Sequence, residues 1–309
     1  MHSISKFLVI LVLISISRIV CAVDFPEPKI VKINDRIHVL LGPIQHANKE
    51  NQGYMVNSTV IVGDKGVILV DPGGSDEVGA YIKKQVKTIT EKPVAYVIDT
   101  HSHGDHYLGN QAFPEAVIIS SEECRDLVIQ TGDQWVKLME DLIGRQLPNT
   151  KPVLAGEVYP PKSKTSVEIN GVKMVIWVPL GSHTHGDLMI YLPEDKVLIS
   201  GDILINGVPP TMQDGVVKNW IKVLEDIEQT DANVFVPGHG ALMNRKQVRA
   251  LRASIEKFYA DVRNGYLNEL SESEIRKTLD LSEWEKLERS YVIGRNINRA
   301  YLEIEQDEF

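Results

Sequence analysis

Short apolar segments alternate with polar, turn-forming segments along the first three quarters of the chain. Most of the apolar segments are rich in Val and Ile, and Gly, Pro, Asn or Asp bounds them, a pattern typical of strands. The pair Asn170-Gly171 between two of them predicts a tight hairpin turn. The predicted strands cover residues 37–41, 56–62, 67–70, 94–99, 116–120, 166–170, 172–179, 187–192, 197–200 and 234–236.

Amphipathic segments between the strands predict helices. Ser75 is a helix N-cap residue, and that helix runs to about Lys92, where Pro93 ends it. Two further helices are predicted from Glu122 toward Gly144 and from Trp220 to Gln229. Residues 145–165, rich in Pro and Lys, are expected to be irregular. The tail, residues 244–309, is predicted to be helical, with N-caps at Ser271 and Ser282.

The N-terminus has the features of an export signal. Lys6 precedes an apolar segment, residues 7–14, that is short for a membrane span, and Ala22 ends a small-residue cleavage site. We therefore expect a signal peptide at 1–22, a main domain at 23–243 and a helical extension at 244–309 packed on that domain. The alternatives are a retained anchor, a lipid on Cys21, and a tail that forms a dimer interface.

The net charge limits the classes of binding partner, and the cysteine content limits the possible disulfides. The chain has a formal net charge of −9, and losing Lys6 and Arg18 with the signal peptide would make it −11. Such an acidic protein is not suited to binding nucleic acid. The expected partner is a small-molecule substrate. The expected assembly is a monomer or a homodimer. After cleavage Cys124 would be the one remaining cysteine, which excludes an intrachain disulfide and suits packing in a helix face. The expected location is periplasmic or secreted.

The candidate chemistry lies in four separated motifs. The run 100–106 (THSHGDH) places His101, His103, Asp105 and His106 directly after a predicted strand. Three imidazoles and a carboxylate so close together are hard to explain by packing, because buried His and Asp need partners or a metal. The other motifs are 181–187 (GSHTHGD), 200–202 (SGD) and 237–240 (PGHG), with candidates at His183, His185, Asp202 and His239.

These residue types are sufficient for two divalent metal ions. His101 and His103 are two apart and can converge on one ion together with His183 or His185. Asp105, His106 and His239 can hold a second ion, and Asp202 can bridge the two. A set of imidazoles and carboxylates without Cys suits Zn²⁺ first, with iron, manganese or cobalt as alternatives. We therefore expect a two-metal site with positions left for water.

The ordered motifs, together with Asp71, resemble the metallo-β-lactamase superfamily over about residues 28–242. The resemblance implies an α/β fold, an αββα sandwich of two mixed sheets with the metals at one edge. It selects His183 as the ligand and leaves His185 and Asp187 as supporting residues behind the ligands, Asp187 stabilising the loop. The implied activity is attack of a metal-held hydroxide, oriented by Asp105, on a carbonyl ester, thioester or amide, β-lactams included.

Two other activities within the same resemblance stay open. A glyoxalase II-type thioesterase would use basic residues of the C-terminal helices for glutathione, and Arg245, Lys246, Arg249 and Arg252 are candidates. An iron-dependent persulfide dioxygenase would need the residues equivalent to His101, His183 and Asp202, and all three are present. A metal carrier without catalytic activity is a third reading.

Overall fold

The computed structural model describes residues 24–308, within which twelve strands form two mixed sheets. The predicted signal peptide, residues 1–22, lies outside the described residues. The first sheet contains β1 Lys29–Lys32, β2 Ile37–Leu41, β3 Ser58–Val62, β4 Val67–Val70, β5 Val94–Ile98, β6 Val117–Ser121 and β7 Glu157–Tyr159. The second contains β8 Ser163–Ile169, β9 Val172–Val178, β10 Met189–Leu192, β11 Val197–Ile199 and β12 Val234–Val236.

Strand order follows the chain in both sheets. The first sheet has the order β1-β2-β3-β4-β5-β6-β7, antiparallel up to β4 and parallel from β4 to β7. The second has the order β12-β11-β10-β9-β8, antiparallel except for the parallel pair β11 and β12. Asn170 and Gly171, both at positive φ, form the predicted tight turn between β8 and β9.

Alternation of side chains along the strands builds the layers. Ile68 and Val70 of β4 share a buried cluster with Ile176 and Val178 of β9, so the two sheets pack face to face. The alternate positions face outward: Leu69 packs with residues of α1 in another cluster. The helices cover both outer faces, which confirms the predicted four-layer αββα sandwich. They are α1 Asp76–Ile89, α2 Gly104–Tyr107, α3 Glu122–Ile143, α4 Val217–Glu228, α5 Arg245–Leu267, α6 Glu272–Thr278, α7 Ser282–Glu285 and α8 Ile293–Glu308.

The helical tail, α5 to α8, packs on the outer face of the second sheet. Its buried residues belong to the same cluster as Trp220 of α4 and Phe235 of β12. Glu303 of α8 accepts hydrogen bonds from the backbone N–H groups of Val217 and Lys218, 2.8 and 2.9 Å away, at the start of α4. A carboxylate at that end of a helix meets unpaired N–H groups and the positive end of the helix dipole.

Two local predictions were wrong. Residues 145–165 are not irregular throughout, since β7 and the start of β8 lie within them. The Pro and Lys residues there obscured strands whose partners are distant in sequence. Ser282 is also not an N-cap, because α7 begins at Ser282 itself and Leu281 precedes it, whereas Ser271 does form the predicted capping box. Among the described residues, no helix is long and apolar enough to span a membrane.

Candidate metal centre

Four loops meet at one edge of the sandwich, and each follows the end of a strand. Residues 101–106 follow β5, His183 follows β9, and Asp202 and His239 follow β11 and β12. Because β10 is antiparallel to both of its neighbours and β11 is parallel to β12, strands β9, β11 and β12 run in one direction. The topology therefore brings motifs that are far apart in sequence to the same edge.

The side chains at this edge form two groups of potential metal ligands. Group 1 is His101, His103, His183 and Asp202, and group 2 is Asp105, His106 and His239. Within each group the ligand atoms all lie within 4.8 Å of one another. All seven sequence candidates for metal binding are thus brought together.

Asp202 faces both groups. Its Oδ2 lies 3.7 Å from Nε2 of His183 in group 1 and 3.5 Å from Nε2 of His239 in group 2. Its Oδ1 lies 3.4 Å from Nε2 of His106, also in group 2. One carboxylate placed between two sets of donors has the geometry that a bridging ligand requires.

Each of the five imidazoles has one ring nitrogen fixed by an oxygen atom behind it. Partners of this kind set the tautomer and aim the other nitrogen of a metal-binding histidine. The contacts are His101 Nδ1 to Thr100 Oγ1 at 3.0 Å, His103 Nε2 to Asp214 Oδ2 at 3.0 Å, His106 Nδ1 to Asp71 Oδ2 at 2.8 Å, His183 Nδ1 to the Thr211 carbonyl at 3.0 Å and His239 Nδ1 to the Met55 carbonyl at 2.9 Å.

The remaining nitrogens fit a cation and not a hydrogen bond. A carbonyl only accepts, so His183 carries its proton on Nδ1 and a lone pair on Nε2. That Nε2 lies 3.0 Å from Nδ1 of His103, whose own proton on Nε2 faces Asp214. With both rings neutral in these tautomers, two lone pairs would face each other at this distance, and a metal ion bound by both nitrogens would remove the repulsion. Nε2 of His101, His106 and His239, and Oδ1 of Asp202, are also buried without a hydrogen-bond partner in the described part of the chain.

The pKa values of two buried imidazoles at this edge, His183 and His106, are shifted in opposite directions. Burial, aided by the neighbouring His103, lowers the pKa of His183 to about 4. Burial also opposes a positive charge on His106. The carboxylates of Asp105, Asp202 and Asp71 outweigh that effect and raise the pKa of this imidazole to about 10.

The two supporting candidates lie outside the ligand groups. His185 is exposed and lines a cavity beside His103. Asp187 accepts hydrogen bonds from the backbone N–H and hydroxyl groups of Ser182 and Thr184, at 2.6 to 3.2 Å. These bonds close the loop that carries His183.

Sequence reasoning missed two positioning carboxylates. Asp71, at φ +57°, accepts hydrogen bonds from the backbone and hydroxyl of Thr100 and faces Nδ1 of His106. It was noted as part of the resemblance but given no role, although a polar residue that ends a buried strand was a usable signal. Asp214 lies in a turn-like stretch, 111 residues from its partner His103, where no sequence pattern marks it.

A cavity beside the ligands is lined in part by the C-terminal tail, which the sequence predicts only to pack on the domain. Arg289, Tyr291 and Arg295 line it together with Asp105 and Asp202. The tail carries no motif that would have indicated these residues.

Comparison with known proteins agrees with this geometry. The family model described as the metallo-beta-lactamase superfamily matches residues 51–239. A type 2 metallo-beta-lactamase of Bacillus cereus is 22% identical over 214 residues, covering 68% of this chain and 74% of that protein.

Solved structures share the fold. A metallo-beta-lactamase from Pontibacter korlensis aligns with a TM-score of 0.60 and 20% identity, over 74% of this chain and 99% of its own. A stereoselective inverting sec-alkylsulfatase from Pseudomonas sp. aligns with a TM-score of 0.66 and 19% identity. That match covers 89% of this chain, and this chain spans about half of the alkylsulfatase, 50%.

Proposed function

Because the chain belongs to the metallo-β-lactamase superfamily and is a metallo-hydrolase, we propose that it hydrolyses a small carbonyl ester, thioester or amide, β-lactams included, with two divalent metal ions. Zn²⁺ is the first choice of metal on the basis of the His and Asp donors. The observation that carries the proposal is the arrangement of two donor groups around the shared carboxylate of Asp202.

The proposed ligand set follows the two groups. Group 1 would hold one ion and group 2 the other, with Asp202 between them. When bound, the two ions supply a hydroxide nucleophile near neutral pH and stabilise the developing oxyanion.

Asp105 is placed to hold the attacking water. Burial by itself raises the pKa of this carboxyl, but His106 and His239 outweigh that effect and lower the pKa well below its ordinary value. The side chain therefore stays ionised and can accept a hydrogen bond from the water. Its Oδ2 lies 3.2 Å from Nε2 of His239, the ring nitrogen of that ligand that faces the site.

The described residues favour this mechanism over a cysteine nucleophile. Cys124 is buried at the start of α3, and burial raises the pKa of its thiol well above the ordinary value. A thiol that stays protonated is a poor nucleophile.

The glutathione reading loses the support of three of the four basic residues it named. Arg249 and Arg252 pair with the carboxylate of Glu228, and Arg245 donates to the carbonyls of Glu228 and Ala232. These guanidinium groups are therefore engaged within the protein. A mononuclear iron dioxygenase would need only part of group 1, and the complete group 2 beside it argues for two metals.

A second candidate function is hydrolysis of an alkyl sulfate ester. The sec-alkylsulfatase covers a larger share of this chain than the Pontibacter korlensis lactamase does, 89% against 74%. We therefore include sulfate esters among the substrates to be tested.

Metal quantification on the purified protein, followed by a panel of lactams, lactones, thioesters and alkyl sulfates, tests the proposal. We expect close to two metals per chain, and His103→Ala should remove one of them. His38→Ala is the matched control, because His38 lies on β2 outside both groups. One iron per chain, with oxygen consumed in the presence of a persulfide, would overturn the proposal.

A further inference from the structure

The cavity beside the metal centre has three chemically different sides. Asp105 and Asp202 form the side next to the ligand groups. Side chains of α3, among them Trp135, Leu138 and Leu142, form an apolar side. The C-terminal tail supplies the third side with two guanidinium groups, Arg289 and Arg295.

These two arginines differ from most arginines of the tail. Arg263 and Arg276 form ion pairs with Glu308 and Glu285, at 2.7 and 3.2 Å. Neither Arg289 nor Arg295 forms an ion pair with any residue between 24 and 308. The one described hydrogen bond of the Arg295 side chain goes to the amide oxygen of Gln213, at 3.2 Å.

Arg289 is the more unusual of the two. Its Nε is buried and has no hydrogen-bond partner within residues 24–308. A buried charged donor without an acceptor is costly unless a ligand completes it. The residue also has a left-handed backbone conformation, φ +66°, which is uncommon for a side chain other than Gly, Asn or Asp.

The neighbouring segments hold this part of the tail over the cavity. Asn296 of α8 donates to the carbonyl of Pro210 at 2.7 Å and accepts from the backbone N–H of Met212 at 3.0 Å. The ring of Tyr291 packs against His46, with centroids 5.6 Å apart. The arginines therefore belong to a built wall of the cavity.

The apolar side complements the cationic one. Leu138, 43% exposed, offers apolar surface on α3, and Met139 and Leu142 line the same cavity. A ligand that contacts both sides needs a hydrocarbon part and an anionic group. Guanidinium groups bind carboxylates and sulfates through paired, charge-assisted hydrogen bonds.

We propose that Arg289 and Arg295 form an anion-binding subsite, and that the substrate of this enzyme is a small ester, thioester or amide that also carries a carboxylate or sulfate group and an apolar body. The anionic group binds the two guanidinium groups, and the apolar body lies along α3 between them and the metal ligands. This inference rests on the proposed function for the reaction, whereas the subsite itself depends on residues outside the ligand groups.

Isothermal titration of the metal-loaded protein with three probes tests the subsite. Octanoate and octane-1-sulfonate are eight-carbon amphiphiles, one with a carboxylate and the other with a sulfonate that stands in for a sulfate. Neither has a hydrolysable ester, and 1-octanol is the uncharged control. The variants are Arg289→Asn, since Asn tolerates the left-handed backbone, and Arg295→Gln. Arg276→Gln is the matched control, because this exposed arginine lies in the same tail outside the cavity.

We expect each of the two variants to weaken binding of both anions roughly tenfold or more, the effect of losing a charge-assisted hydrogen bond. Binding of 1-octanol and of all probes to Arg276→Gln should not change. Arg289→Lys, which keeps the charge, should bind the anions better than Arg289→Asn and provides the test if the Asn variant fails to fold. The anion that binds with the higher affinity identifies the preferred head group, and either result supports the subsite.

Unchanged anion binding in Arg289→Asn and Arg295→Gln would overturn the inference, as would 1-octanol binding as tightly as octanoate. Metal content measured on the same samples distinguishes a failure of the subsite from a failure of the proposed function. Loss of anion affinity with both metals retained supports the subsite alone. A protein that binds the anions through Arg289 but hydrolyses no member of the substrate panel would refute the proposed function and leave the subsite standing.

Discussion

The two ligand groups at the sandwich edge are alike in residue types but differ in the charge around them. In group 1, His101 and His183 are backed by a hydroxyl and a carbonyl, and burial lowers the pKa of both imidazoles. In group 2, Asp105 lies among the ligands and Asp71 lies behind His106.

This difference separates two ways of building a metal site. In group 1 uncharged acceptors hold His101 and His183, and the carboxylates nearby are the shared Asp202 and the half-exposed Asp214, so geometry dominates there. Group 2 concentrates negative charge, so removing a carboxylate changes its electrostatics while leaving its shape nearly intact. Substitutions in the two groups should therefore reduce metal binding and turnover to different extents.

The largest expected effect is loss of a neutral ligand from group 1. His183→Ala should lose one metal and nearly all turnover, because the remaining ligands of that ion no longer close a coordination shell. His185→Ala is the control two residues away, and this variant should keep both metals. Its turnover should fall by at most roughly 10- to 100-fold, the loss typical of a residue that supports the ligands without binding the metal. Metal content and turnover of the two purified variants check this. Metal loss in His185→Ala alone would show that the ligand at this position is misassigned.

The next effect concerns the carboxylate within group 2. Asp105→Asn should retain much of the metal but reduce turnover by roughly 100-fold or more, because the charge that holds the attacking water is lost while the shape is kept. Turnover normalised to measured metal content is the relevant quantity. An Asn variant as active as the parent protein would remove Asp105 from its proposed role.

The third effect tests the charge behind group 2. Asp71→Asn should weaken binding of one metal by roughly 10- to 100-fold, as loss of a buried hydrogen-bond partner of a ligand does. The metal of group 1 should be weakened less, since the buried Asp71 contacts His106 directly but reaches the group 1 ligand His101 only through the hydroxyl of Thr100. Stepwise titration with a chelating dye resolves the two metals. Equal weakening of both would mean that the groups are not independent.

Much of the sandwich and of the ligand set could be predicted from local sequence. Apolar segments such as 67–70 and 94–99 are strands in their own right, and the ligands follow strands directly, so local pattern and position coincide. His101 and His103 could be paired from spacing, and the structure places them in one group.

What could not be predicted depends on contacts that no local pattern carries. Strand β7 pairs in parallel with β6, and the helix α3 separates the two in sequence. Asp71 meets His106 across 35 positions, and Arg289 reaches the cavity only because the tail packs against the second sheet. In each case tertiary packing, and not the surrounding sequence, decides the position.

The smallest expected effect concerns Asp214, the counterpart of Asp71 in group 1. Both carboxylates face a ring nitrogen of a ligand, at 3.0 Å for His103 and 2.8 Å for His106, but the side chain of Asp214 is 48% exposed. Water screens a carboxylate at that exposure, so its interaction with the imidazole contributes less than the buried pair does.

Asp214→Asn should therefore weaken binding of one metal by less than about tenfold, a smaller loss than in Asp71→Asn. The control is Asp133→Asn, an exposed carboxylate on α3 outside both groups, which should change neither metal. The same chelator titration, run on the three variants side by side, gives the ranking. A loss in Asp214→Asn as large as that in Asp71→Asn would show that proximity to the ligand, and not burial, decides how strongly a carboxylate behind a histidine supports the metal.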